Sequence, residues 1–393
     1  MRIFAASSLA LLSLISFTAL ASCSSDSGTT DPNTTEADAK PVVAQYALIA
    51  QTGYNDTLTK AKAMQTAINA LIATPSQATL DAARTAWLAA RDAYGQTESY
   101  RFFDGPIDDE AGPEGRVNGW PLDEAFIDYV DGDANAGIIN KTQEFPSLTK
   151  DVLSEQNEKG GEANIATGWH AVEFLLWGQD KSDTGPGARP FTDYVVGETP
   201  AQKNAARRKD YLKIVTDLLV EDLELVAKAW DPKTAGSYGA KFVEAPANES
   251  LTKAFKGMVQ LAGFELSSER MNNAYTKGDQ EEEHSCFSDN TKADLVANAK
   301  AVENVYLGRW GTTDGPGLDD LVKAKNPELD TQVKAQFAKA IGAIEAIQGP
   351  FDQAILKEPN RSKVKTAIDE TKALAAQLIE AGKVVGVTVN IEE

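Results

Sequence analysis

Two histidines occur in 393 residues. One of them, His170, stands three positions before a glutamate, Glu173, in the apolar run Gly168-Trp169-His170-Ala171-Val172-Glu173-Phe174-Leu175-Leu176-Trp177-Gly178. On a helix, positions i and i+3 share a face. The imidazole and the carboxylate can therefore reach one point, and the surrounding aromatic and aliphatic residues shield it from water. An ionised carboxylate there costs several kcal/mol unless it is paired or bound to a metal. The spacing leaves two readings open: a hydrogen-bonded pair, or two ligands of a metal ion.

Other chemistry-bearing residues fall on recognisable stripes. Leu80, Ala83, Trp87, Ala90 and Tyr94 repeat by three and four, and Glu98 and Arg101 continue that face. They read either as a structural bridge or as a ligand oriented by an arginine. Asp123, in Trp120-Pro121-Leu122-Asp123-Glu124, opens a helix, where its ordinary role is to satisfy free amides. Glu265 and Glu269 extend the stripe Leu251, Phe255, Met258 and Ala262, and Arg270 follows. The second histidine, His284, precedes Ser285 and Cys286 after three glutamates. A set of one histidine and several carboxylates is oxygen-rich and suits iron, manganese or calcium, with zinc as a further candidate. The chain lacks His-Glu-x-x-His, and Phe174 stands where His-x-x-Glu-His needs its second histidine. A catalytic zinc with two histidines would need His170 and His284 to converge.

The elements that must position these groups are helical. Amphipathic stripes predict helices over about 42–72, 80–94, 211–230 and 251–262, and Ala-, Lys- and Glu-rich segments predict more near 291–307, 328–348 and 361–383. The tail from Val384 to Ile391 is the one candidate strand. Three long loops, 104–121, 179–200 and 231–248, interrupt the pattern, and such loops in a compact helical protein are usually functional. Gly105-Pro106-Ile107-Asp108-Asp109 and Gly315-Pro316-Gly317-Leu318-Asp319-Asp320 each follow a long helix ending in aromatics, a hint of duplication. The expected fold is all-α, two helical-bundle domains with a site between them, residues 41–235 and 236–393.

Residues 1–22 read as a secretory signal, and Leu20-Ala21-Ser22-Cys23 resembles a lipoprotein cleavage site with Cys23 as the lipidated residue. Residues 23–40 are polar and read as a flexible tether. Ser24-Ser25 favours the outer membrane, so the expectation is a lipid-anchored protein of the cell envelope facing the periplasm or the cell surface. The formal charge of −20 argues against nucleic acid as a partner and suits the attraction of cations. With Cys23 lipidated, Cys286 has no intramolecular partner.

Taken in order, these motifs resemble the imelysin family, also called iron-regulated protein A-like or peptidase M75-like. The resemblance rests on Gly168-x-His170-x-x-Glu173 with Phe174 to Gln179, and on Tyr94, Thr97-Glu98, Arg101-Phe102 and Gly105-Pro106-Ile107-Asp108. It rests also on Asn118 with Trp120 to Glu124, Ser268 to Met271, and His284 to Thr291. It implies a two-domain helical protein of iron uptake with a metal ion, iron favoured, held by Glu98, Asp123, His170 and Glu173. Arg101, Glu269, His284 and Ser285 would orient those ligands or face the substrate. The implied cargo is a metal ion or iron complex, with an iron-transport protein as partner and the membrane reached through the lipid alone. The alternative is a metal-dependent peptidase of the M75 type.

Overall fold

The computed structural model describes residues 34–392. The expected leader (1–22), Cys23 and the first part of the tether (24–33) lie outside the described residues. Among the described residues the α-helices of ten or more residues are α1 (Glu36–Ala73), α2 (Gln77–Gly95), α3 (Gly168–Trp177), α4 (Ala205–Ala229), α5 (Ala247–Gln260), α6 (Thr291–Tyr306), α7 (Pro327–Glu345) and α8 (Asn360–Val384). Shorter turns of helix join them. Among the described residues the strands are a two-residue pair, Arg309–Trp310 against Thr313–Asp314, so the fold is all-α as expected.

Local signals fix where these helices start. Ser76 and Thr79 form a reciprocal capping box at the head of α2. Asn326 caps α7, whose first residue is Pro327, placed where a missing N–H costs nothing. Helix α1 begins earlier than the tether reading allowed. Thr35 accepts from the Asp38 amide, and Ala39, Val42 and Val43 are buried, so the helix begins at residue 36 and packing by residue 39. The tail does not form a strand. Val385, Val387 and Val389 are buried in irregular chain, and the Glu392 amide donates to Gln260 Oε1 at 2.9 Å.

Helix α1 packs against α2, α4, α5 and the short helix Tyr238–Glu244. One hydrophobic core runs from Ala39 to Val389 through these contacts. The expected boundary between residues 235 and 236 falls between α4 and Tyr238–Glu244, both of which lie on α1, and the described residues form one compact unit. A second core, with Leu266, Leu295, Ile344, Phe351 and Ile368, lies wholly in the C-terminal part.

Helix α5 does not stop at Gln260. It continues as a π-helix over Leu261–Asn272 and returns to α geometry over Asn273–Lys277. The π stretch packs on α8 and α6. Its buried positions, 261–263, 266/267 and 270/271, recur about every four residues. A regular α stripe would have carried Glu269 inward; the wider i→i+5 repeat brings in Arg270 instead.

Candidate functional site

Helix α3 is buried along its whole length, and its ends are held by polar contacts. Gly168 has φ +86°, and a Cβ there would stand 2.5 Å from the Val117 carbonyl oxygen. The glycine thus lets α3 start directly against the 114–118 turn of the first long loop. Trp87 Nε1 donates to the Trp169 carbonyl at 3.1 Å, and Arg84 Nη2 donates to the Leu176 carbonyl at 2.9 Å. These contacts fix the face on which His170 and Glu173 lie.

The predicted pair forms. His170 Nδ1 lies 2.9 Å from Glu173 Oε2. Glu173 Oε1 accepts from both the amide (2.9 Å) and the hydroxyl (2.6 Å) of Ser288. Burial pushes the Glu173 carboxyl up to about 8, against the pull of Ser288. Burial, with the Arg91 guanidinium nearby, holds His170 well below its usual value.

His284 joins His170 across the fold, with ring centroids 5.0 Å apart. It reaches that position from the segment after Lys277, ahead of α6, with Trp120 against its edge. Its Nδ1 lies 3.0 Å from Asp294 Oδ2, in the first turn of α6. The same oxygen accepts from Ser285 Oγ at 2.6 Å, while Asn290 Nδ2 donates to Oδ1 at 2.8 Å. Burial, and then the positive charges of Arg270 and Arg91, keep His284 well below its ordinary value.

Between the two imidazoles lies Arg91 of α2, fully buried. Its Nη2 is 3.4 Å from His170 Nε2 and 3.1 Å from His284 Nε2. Its Nε donates to Asp294 Oδ2 at 3.2 Å and its Nη1 to Asn118 Oδ1 at 2.6 Å. Sequence reasoning missed Arg91, Asp294 and Ser288. The signal for Arg91 was its place beside Ala90 on the buried stripe of α2; Ser288 was hidden in a stretch that reads as a helix cap, and Asp294 within the helix that follows it.

Glu98 and Asp123 do not join this group. Helix α2 ends at Gly95, and Glu98 sits in the separate turn Glu98–Tyr100. It accepts from Arg270 Nη2 at 2.5 Å, from Arg101 Nη1 at 3.2 Å and from Asn298 Nδ2 at 3.3 Å. Burial alone would raise its carboxyl, but Arg270 and then Arg101 hold it down at about 2. Of its two readings, the structural bridge is the one seen. Asp123 is exposed, and its side chain accepts from the Ala125 amide at 2.9 Å, an ordinary helix N-cap. The four residues Glu98, Asp123, His170 and Glu173 are therefore not one donor set. Among the described residues no three His, Cys, Asp or Glu side chains stand in a metal-coordinating arrangement. The donors nearest to that chemistry are turned toward a guanidinium or toward one another.

The open part of the region is a cleft made of two adjoining hollows of about 330 and 250 Å³ that share Trp120, Glu162 and Glu265. The first long loop supplies one wall, the π stretch the other, and His284 lies at the inner end. Six carboxylates (Glu114, Glu158, Glu162, Glu265, Glu269 and Glu282) face three cations, Arg101, Arg270 and Lys277. Each cation already holds a glutamate: Arg101 with Glu114 at 2.8 Å, Arg270 with Glu265 at 2.9 Å, Lys277 with Glu282 at 2.6 Å. Glu269, half-buried, is pushed up by burial and then by Glu265. Two hollows of about 370 Å³ elsewhere, beside Arg189 and beside Tyr238, contain no histidine.

A family model described as imelysin, peptidase M75, matches residues 50–378. Over 302 residues the chain is 25% identical to a protein named iron-regulated protein A from Synechococcus elongatus, covering 75% of this chain and 71% of that one. It resembles the crystal structure of a protein described as an iron-regulated protein A precursor from Parabacteroides distasonis. The TM-score there is 0.72 at 23% identity, over 91% of this chain and 96% of the other. An imelysin-like protein from Psychrobacter arcticum 273-4 gives a TM-score of 0.65 at 13% identity, over 91% and 99%. These two likenesses establish the fold.

Proposed function

The chain belongs to the imelysin family, and from that premise we propose that it is a cell-envelope binding protein of iron acquisition, taking iron as a cation or cationic complex in the glutamate-lined cleft. The relative's name, iron-regulated protein A, supports the link to iron. The observation that carries the reading is the excess of carboxylates over cations around the cleft, with Glu158, Glu162 and Glu269 left over once the three ion pairs are made. Carboxylate oxygens are the donors that a hard cation takes. The buried His170–Glu173 and His284–Asp294 pairs form the inner wall behind it. On this proposal Cys23 carries the lipid, the outer membrane is the favoured site, and an iron-transport protein receives the cargo.

The donor arrangement gives the peptidase reading little to work with. Metal-assisted hydrolysis needs an open ligand position and a base for the bound water. Glu173 spends one oxygen on Ser288 and the other on His170, and Asp294 is engaged by four donors.

The test is a titration of the purified protein with Fe(II) under anaerobic conditions, beside a Glu162→Gln/Glu269→Gln double variant. Stoichiometric iron in the parent and at least tenfold weaker binding in the variant supports the cleft. Equal binding in both overturns it. Chelator-sensitive cleavage of peptides that is lost in Glu173→Gln would establish the hydrolase instead.

A further inference from the structure

Glu282 and His284 line the cleft, and Glu283, between them, does not. Glu283 is 1% exposed, and among the described residues neither of its carboxylate oxygens makes a hydrogen bond. The charges that act on it most are three further carboxylates: Asp352 of the short helix Phe351–Leu356, Asp289 just ahead of α6, and Asp180 of the second long loop. Asp352 is 5% exposed, and its Oδ1 is likewise without a partner. The leading charges felt by Asp180 and Asp289 are also carboxylates, Asp352 among them in each case. The donors that reach this group are neutral. Gln280 Nε2 and the Ser182 amide donate to Asp180 at 2.7 and 2.9 Å, and Gln353 Nε2 donates to Asp352 Oδ2 at 2.5 Å. The neighbouring amines are engaged elsewhere: Lys181 with Asp131 at 2.6 Å, Lys277 with Glu282 at 2.6 Å, Lys292 with the Ile347 carbonyl at 3.1 Å.

A buried carboxylate with no partner is costly as a charge. Protonation removes the charge but leaves lone pairs and a hydroxyl that still need partners. A bound cation answers both needs. We propose that Glu283 and Asp352 bind a hard divalent cation, calcium or magnesium, with Asp180 and Asp289 joined to it through water. Carboxylate oxygens select that class of ion. Cys286, close to Glu283, is kept a neutral thiol by burial and then by Glu173 and Glu283, so it is no competing donor. Among the described residues no three side chains form a coordinating group, so two carboxylates bind the ion directly and it keeps several waters, the arrangement magnesium commonly takes. The ion would join the segment that carries Glu282 and His284 to helix Phe351–Leu356 and to the second long loop, setting the cleft wall from behind. None of the four carboxylates lines the cleft, so this inference does not depend on iron binding there.

Calcium chloride and magnesium chloride are the probes, titrated separately by calorimetry into EDTA-stripped protein. Three proteins are compared: the parent, Glu283→Gln/Asp352→Asn, and the cleft variant Glu162→Gln/Glu269→Gln. The expected result is one equivalent of at least one ion in the parent and in the cleft variant, bound at least tenfold more weakly by Glu283→Gln/Asp352→Asn. Thermal unfolding followed by circular dichroism gives an independent reading. In EDTA the Glu283→Gln/Asp352→Asn protein should melt at or above the parent, because repulsion among the four carboxylates is relieved. With about 10 mM of the ion the parent's midpoint should rise by about 2 °C or more, and the variant's should stay. A parent that binds neither ion overturns the proposal and leaves water as the partner of the buried oxygens. Undiminished binding in Glu283→Gln/Asp352→Asn, or binding lost only in the cleft variant, overturns it as well. Asp289→Asn, at a half-buried position, keeps the test open if the double variant does not fold: affinity should fall severalfold, and an unchanged affinity overturns the site.

Discussion

Replacing Glu98 by glutamine removes a buried charge that two arginines share. Its carboxyl lies at about 2, against an ordinary 4.5. At about 1.4 kcal/mol per unit, that gap corresponds to roughly 3 kcal/mol of folding free energy. Breaking a buried ion pair by removing one partner typically costs about 3–5 kcal/mol. The lower end applies here, because Arg101 keeps Glu114 and Arg270 keeps Glu265. Since the folded value is depressed, the stabilisation is complete above pH 4.5 and is lost as pH falls toward 2, with about 2 kcal/mol gone by pH 3. Urea unfolding followed by far-UV circular dichroism, at pH 7, 5 and 3, measures this for the parent and Glu98→Gln. The two should differ by about 3 kcal/mol at pH 7 and pH 5, narrowing to about 1 kcal/mol at pH 3. A difference below about 1 kcal/mol at pH 7, the range of an exposed pair, or one that does not change with pH, would refute the assignment of Glu98 to the arginines.

Gly168→Ala places a methyl group 2.5 Å from the Val117 carbonyl at φ +86°; a loss of about 3 kcal/mol or more is expected, read as a lowered thermal midpoint. Ser288→Ala deletes the hydroxyl donor to Glu173 but leaves the amide. The expected cost of about 1–2 kcal/mol is greatest above pH 8, where Glu173 is ionised, and fades below it; equal costs at pH 6 and pH 9 contradict the hydrogen-bond scheme. Asp128→Asn strips the shared carboxylate from Arg189 and Arg208, which it meets at 2.8 and 2.6 Å, and should cost about 3–5 kcal/mol in urea unfolding at pH 7.

The helices were legible because burial in an all-α fold leaves a three-and-four repeat, as in Leu80, Ala83, Trp87, Ala90 and Tyr94. The His170–Glu173 pair was legible for the same reason, both side chains being fixed to one face of one helix. Its partners were not, because they arrive from distant segments: Arg91 from α2, Ser288 from before α6, Asp294 from within it. A lone arginine beside an apolar stripe reads as a surface residue, and only the folded chain reveals the four polar side chains around it, Asp294, Asn118, His170 and His284. Glu98 and Asp123 failed as ligands for a related reason. Spacing places a carboxylate on a face but says nothing of the arginine or free amide that reaches it first. The inward turn of Arg270 was also invisible, since no residue type in 261–272 demands a π register.

That register has a consequence for how this chain tolerates changes of length. A π turn holds one residue more than the α turn it replaces, so the stretch 261–272 behaves as an insertion absorbed without a loop. Deleting one residue ahead of Arg270 would let the helix relax to ordinary geometry with Arg270 in the inward place that an α stripe gives position 269, so its meeting with Glu98 is kept. Adding one more residue has no such outlet: Arg270 would turn away from Glu98, and two halves of one polar network would separate. The segment therefore tolerates a loss of length better than a gain.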